Sequence, residues 1–135
     1  ASLVAQTGDL ARAAQLDSEA LEIRRDLGDS ISIAYSLESI GGTTARAGRW
    51  ADAMRLFAAA NHLREDIAAP LPAAEMESYE FGVTLCREGL SPEEFTTAWE
   101  AGRTMLLDEA IELATRVAGE IAATGTASTA ATASQ

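Results

Sequence analysis

Gly8-Asp9-Leu10-Ala11-Arg12-Ala13-Ala14-Gln15-Leu16-Asp17-Ser18-Glu19-Ala20 and Gly48-Arg49-Trp50-Ala51-Asp52-Ala53-Met54-Arg55-Leu56-Phe57-Ala58-Ala59-Ala60 are two copies of one pattern. Ala5, Gly8, Ala13, Leu16, Ala20, Arg24 and Asp26 recur 40 residues further on as Ala45, Gly48, Ala53, Leu56, Ala60, Arg64 and Asp66. Leu10, Ile23 and Leu27 find apolar counterparts in Trp50, Leu63 and Ile67. Repetition at a fixed period of this size marks stacked supersecondary units. The spacing Gly-x4-Ala-x6-Ala has a physical reading: glycine permits a tight interhelix turn, and small residues let paired helices approach closely.

Outward from the repeat, the chain reads as a string of helices. Good helix formers run from about Asp9 to Leu27, and Gly28 stands where a left-handed C-terminal cap belongs. Asp29 or Ser30 can cap a second helix that reaches about Ala47 and stops at Gly48. A third runs from about Arg49 to Ala68, closed by Ala69-Pro70-Leu71-Pro72. A fourth extends from Pro72 to Glu88, with Gly89 as its stop. Ser91-Pro92-Glu93-Glu94 combines a capping box with proline in the first turn, the clearest helix start in the chain. A last helix is expected from about Asp108 to Ala123. Sustained period-two alternation is missing, so no strand is expected.

Apolar stripes agree: Ile33, Leu37, Ile40 and Thr44 on one helix, Met76, Tyr79, Val83, Cys86 and Leu90 on another. Trp50, Ala53 and Phe57 share one side of the third helix while Leu56, Ala60, Leu63 and Ile67 share the next. So wide an apolar surface must pack against two neighbours. Residues 124–135 hold only Thr, Gly, Ala, Ser and a final Gln, and are expected to form a disordered tail.

The 135 residues are 47% hydrophobic and 23% charged, an ordinary globular balance. Every basic residue is arginine, the composition of a GC-rich bacterial gene. Net charge is −11, which argues against direct contact with nucleic acid, since phosphate binding needs clustered cations. Residues 71–135 carry eleven acids against three arginines. No apolar run is long enough for a membrane span, and no signal peptide is evident, so a cytoplasmic location is expected. One cysteine, Cys86, allows no internal disulfide.

The two units resemble the second half of tetratricopeptide repeats. Gly41, seven residues before Gly48, sits where that family places the small residue of the first helix, with Leu37 and Ile40 ahead of it. The 40-residue period exceeds the family's usual 34, and Arg25 and Glu65 replace its terminal proline. Longer repeats of this kind resemble those of bacterial STAND-type signalling ATPases. Leu27-Gly28-Asp29, Ala34-Tyr35-Ser36-Leu37-Glu38, Leu56-Phe57-x2-Ala60-x2-Leu63-Arg64, Ala69-Pro70-Leu71-Pro72 and Phe95-x3-Trp99-x2-Gly102 before Glu109-Ala110-Ile111 resemble the end region of LuxR-type regulators. The resemblance implies an ATPase domain upstream of Ala1. On this register Ala1 to Thr7 would be the back half of a truncated first helix.

The reading is therefore an all-α fold: antiparallel helical hairpins stacked as a short TPR-like α-solenoid. Repeats would occupy 1–71, a divergent C-terminal helical cap 72–123, and the tail 124–135. Catalysis, metal and cofactors are not expected: the lone His62 lies mid-helix, Cys86 lies on an apolar stripe, and Gly41-Gly42-Thr43-Thr44 lacks the lysine of a phosphate loop. Glu75, Glu77 and Glu80 read as a solvated face. In stacked hairpins the first helix of each pair lines the concave surface. That singles out Tyr35, Glu38, Ser39, Gly42 and Arg46 as a groove for a protein or small effector. A structural cap or dimerisation module, including a homodimer without a ligand of its own, is the alternative.

Overall fold

The computed structural model describes the backbone of residues 3–133 and the side chains of residues 8–124. It holds six helices: α1 (Leu3–Leu27), α2 (Ser30–Arg46), α3 (Trp50–Asp66), α4 (Ala73–Gly89), α5 (Pro92–Arg103) and α6 (Leu107–Ala133). No strand occurs among the described residues.

The punctuation works as its chemistry dictates. Gly28 (φ +68°) and Gly48 (φ +81°) take the left-handed conformation that lets a helix's last carbonyls be satisfied. After α1, Gly28 N–H donates to Arg25 O and Asp29 N–H to Arg24 O; after α2, Gly48 N–H donates to Ala45 O and Arg49 N–H to Thr44 O. The same pair of bonds follows α3 at Ala68 and Ala69, where Ala68 holds φ +53° without the freedom of glycine. Asp29 caps α2 by accepting the Ser32 N–H, and Ser91 with Glu94 forms the capping box of α5.

Two apolar cores share the α2–α3 hairpin. One gathers Ala14 and Leu21 of α1, Ile33, Leu37 and Ile40 of α2, Leu56, Ala60 and Leu63 of α3, and Ile111, Ala114, Val117 and Ile121 of α6. The other gathers Ala53, Met54 and Phe57 of α3 with Cys86 of α4 and Ala98 of α5, flanked by Trp50, Tyr79, Val83, Phe95 and Trp99. Phe57 organises the second core. A Cβ at Gly41 or Gly82 would come within 2.9 or 2.6 Å of its ring, so only glycine lets α2 and α4 close on it. Tyr79 stands edge-on to Phe57, ring centroids 5.2 Å apart. Gly89 clears Trp50, and Gly102 lets α5 approach the Arg55 carbonyl on α3.

Three features differ from the sequence reading or go beyond it. Gly8 makes no turn: α1 runs unbroken through it, because glycine permits a turn but only packing of the joined helices enforces one. Second, the sequence pattern leaves open the position of α6 within the 72–123 segment. The helix returns across the molecule to lie chiefly along α1, touching α2 and α3 on the way. Arg49 meets Glu120 at 2.6 Å on the exposed side of that return. Third, α6 continues to Ala133, past the end expected near Ala123, since its Ala- and Thr-rich continuation contains no proline and alanine favours helix. Of the expected tail, the side chains from residue 125 onward and all of residues 134–135 lie outside the described residues.

Candidate functional site

The residues singled out on α2 do not form one open groove. Glu38 is turned inward: its carboxylate accepts from Arg64 Nε at 2.6 Å and Nη2 at 2.8 Å, both side chains being about nine-tenths buried. A bidentate pair with so little solvent is a fixed structural joint between α2 and α3. Arg64 Nη1 also donates to Ala69 O, and the Glu38 carboxylate holds the guanidinium above its ordinary pKa. Ser39 donates to Asp17 on α1 at 3.0 Å. Burial pushes the Asp17 carboxyl up, against the lowering influence of Ser39 and Arg24. Tyr35 is exposed, with the Arg24 guanidinium 5.4 Å from its ring centre. Arg46 lies 5.6 Å over Phe81 of α4, and Gly42 faces open space. Tyr35, Glu38 and Ser39 do meet Leu71, Glu75, Ser78 and Tyr79 around a hollow of about 80 Å³. That is far below the roughly 300–1,000 Å³ of ordinary ligand sites.

A larger site lies on the other side of Tyr79. Although consecutive, α4 and α5 hardly touch; α5 rests on α3, and α4 lies across α2 and α3. A groove along α4 has two lobes of about 600 and 540 Å³ that share Tyr79 and Glu80. The second opens between α4 and α5; the first opens between α4, the end of α3 and the loop joining them, with Glu38 of α2 and no residue of α5 in its lining. The first lobe is lined by Arg64, Glu65, Pro70, Leu71 and Met76 among others, the second by Met54, Val83, Phe95, Trp99 and Glu100 among others. Met76, Tyr79, Glu80, Val83, Thr84 and Arg87 follow the three-and-four spacing of one helix face, so a single side of α4 lines both lobes. Arg87 stacks 5.1 Å over Phe95, and Arg103 pairs with Glu65 at 2.6 Å. Burial and the Glu38 charge raise the Tyr79 hydroxyl, keeping it a neutral donor. Glu80 and Glu100 carry no ion pair or side-chain hydrogen bond among the described residues.

The sequence offered a partial signal for this groove in the α4 stripe and in Phe95 and Trp99, which it assigned to the core. They are core only on one side. No grouping of three or more metal-ligating side chains occurs among the described residues. Cys86 is buried and its thiol pushed up to about 11 by desolvation, which leaves it protonated and unreactive at neutral pH. His62 lies at the surface beside Asp66.

Fold and site together define an all-α helical-repeat domain whose distinctive surface is an open groove. No family model matches the chain, and no solved structure matches it. Among curated proteins it is similar to predicted HTH-type transcriptional regulators of Mycobacterium bovis and of Mycobacterium tuberculosis strains CDC 1551 and H37Rv. Each is 32% identical over 85 residues, which is 63% of this chain and 10% of the relative. The chain thus spans about a tenth of the length of these relatives. It is a helical domain related to a segment of such regulators. No helix among the described residues is long and apolar enough to cross a membrane.

Proposed function

We propose that the chain is a non-catalytic binding module of a bacterial transcriptional or signalling regulator. In this reading a protein segment or small effector sits in the groove along α4. Its occupancy biases the conformation of the parent protein, including a cytoplasmic ATPase switch of the STAND and LuxR type that the repeat pattern resembles. A ligand shifts such a switch only by binding its two states unequally. One observation carries the reading. Two consecutive helices, α4 and α5, leave Val83, Phe95 and Trp99 only partly covered in the space between them. Similarity to the mycobacterial regulators supports the regulatory setting.

The test is NMR of the isotopically labelled 135-residue chain titrated with a panel of apolar small molecules and amphipathic peptides. Shifts confined to Tyr79, Val83, Phe95 and Trp99 are expected. A panel that leaves all four unmoved removes the groove as a binding surface.

A second reading rests on a different observation. Leu16, Ile23, Leu27 and Ile31 are each more than half exposed on α1 and the start of α2. This favours the structural-cap or dimerisation alternative, in which the chain packs against further helices or a second copy. Light scattering checks it: a dimer abolished by Ile23→Ser would support this reading, and a monomer at high concentration would exclude self-association.

A further inference from the structure

The groove has the shape of a missing helix. Its α4 wall is one helix face from Met76 to Arg87, about 16 Å along the axis at 1.5 Å per residue. Its α5 wall repeats the arrangement: Phe95 and Trp99 lie one turn apart, with Thr96 and Glu100 beside them. The floor comes from α3, where Met54 and Asn61 lie two turns apart on one side. Three helices thus present apolar side chains toward the second lobe, while the first, without an α5 wall, is rimmed by Glu38, Asn61, Arg64 and Glu65. From Tyr79 to Arg87 the second lobe runs about 12 Å along α4 at 1.5 Å per residue, room for a helix of about two turns with anchors spaced i, i+3 and i+7.

The charges around this space select among helices. From residue 73 to residue 103 the chain has seven glutamates and two arginines. Arg103 is paired with Glu65, and Arg87, stacked over Phe95, is one cation against two glutamates in the lining of the second lobe, which stays net acidic. Glu80 on the α4 wall and Glu100 on the α5 wall both line the second lobe without an internal partner. An apolar slot with an unpaired carboxylate on either lip complements a helix whose apolar stripe is flanked by basic residues. An acidic helix would meet like charge on both sides.

We propose that the groove between α4 and α5 takes a basic amphipathic helix. Its apolar side chains fill the space beside Tyr79, Val83, Phe95 and Trp99, and its Lys or Arg side chains meet Glu80 and Glu100. This rests on the groove being the binding surface of the preceding section, and it adds the chemistry of the occupant.

The experiment uses the 135-residue chain and two fluorescent stapled helical peptides. One has Leu at i, i+3 and i+7 with Lys on both flanks; its twin has Glu at every Lys. Anisotropy should show the Lys peptide binding about tenfold or more tightly than the twin, a difference that shrinks at high salt. Glu80→Gln with Glu100→Gln should erase the preference. Thr96→Arg, at an exposed position in the second lobe, should weaken the Lys peptide without lowering the melting temperature. Equal affinity for the twins, or a preference that survives the double substitution, overturns the charge selection. If the apolar panel still maps to Tyr79 and Trp99, the groove itself then stands. Binding of neither peptide overturns the helical occupant, and the same panel shows whether a small effector takes its place or the binding surface is lost as well.

Discussion

Helices α1 and α3 carry the same repeat, yet α3 is buried on several sides and α1 on one. Leu56 is fully buried on α3, whereas its counterpart Leu16 is 58% exposed on α1; Leu63 is 9% exposed and Ile23 62%. Beneath α3 the Leu56–Leu63 side meets α2 and α6, and the Phe57 side meets α4 and α5. On α1 only the Ala11–Ala14–Leu21 side is covered, by α2 and α6. A repeat specifies a helix and its apolar pattern. Which stripe is buried depends on what the rest of the chain lays against it.

The largest expected effect comes from the repeat arginine. Arg64→Ala leaves Glu38 buried without a partner and should cost roughly 3–5 kcal/mol. Arg24→Ala, losing a hydrogen bond to Ser36, should cost about 1 kcal/mol. Paired denaturant melts check this, and equal costs would show that the Glu38 joint is solvated. Next come the leucines. Leu56→Ala should destabilise by about 2–5 kcal/mol and Leu16→Ala by no more than about 0.5 kcal/mol. A large loss at Leu16 would mean that α1 is covered in solution.

The helix ends sharpen the comparison at smaller cost. Gly28 and Ala68 occupy equivalent left-handed positions after α1 and α3. Ala68→Gly should stabilise, and Gly28→Ala destabilise, each by about 1 kcal/mol in thermal melts. Matching signs would break the equivalence of the two ends.

The smallest effects are those of pH, and they have opposite signs in different places. Hydrogen bonds to Ser32, Arg103 and Ser91 hold Asp29, Glu65 and Glu94 below their usual pKa values. Their contribution is present above the unfolded-state pKa, about 4, and is lost as pH falls through the lowered folded values. Asp17, raised by burial, contributes stability below its unfolded pKa that is lost as pH rises through its folded one. Asp17→Asn should therefore raise the melting temperature slightly at neutral pH and leave it nearly unchanged at acid pH. Glu94→Gln should lower it at neutral pH and make little difference in acid. A uniform shift across pH for either variant would contradict these environments.

Much of the fold was legible because it rests on local chemistry. Gly28, Gly48 and the box at Ser91–Glu94 act within a few residues of themselves, and the Ile33–Leu37–Ile40 stripe is buried as its spacing requires. Gly41 is small for the reason the repeat gives, although its partner, Phe57, had to be seen. The candidate site was legible only in pieces. Glu38 on α2 needed Arg64, 26 residues away, to show that it points inward. Phe95 and Trp99 read as core because apolarity alone does not say that one side of a helix stays open.

By itself the sequence determined six helical segments, most of their ends, and the wide apolar surface that makes α3 the centre. Those follow from backbone propensity, capping and periodicity, which act over one or two turns. Tertiary structure alone decided that α6 returns to α1, that Gly8 stays helical, and that α4 and α5 stand apart with a groove between them. Each of these depends on which surfaces meet across the chain, and residues with identical local patterns, as in α1 and α3, are free to answer it differently.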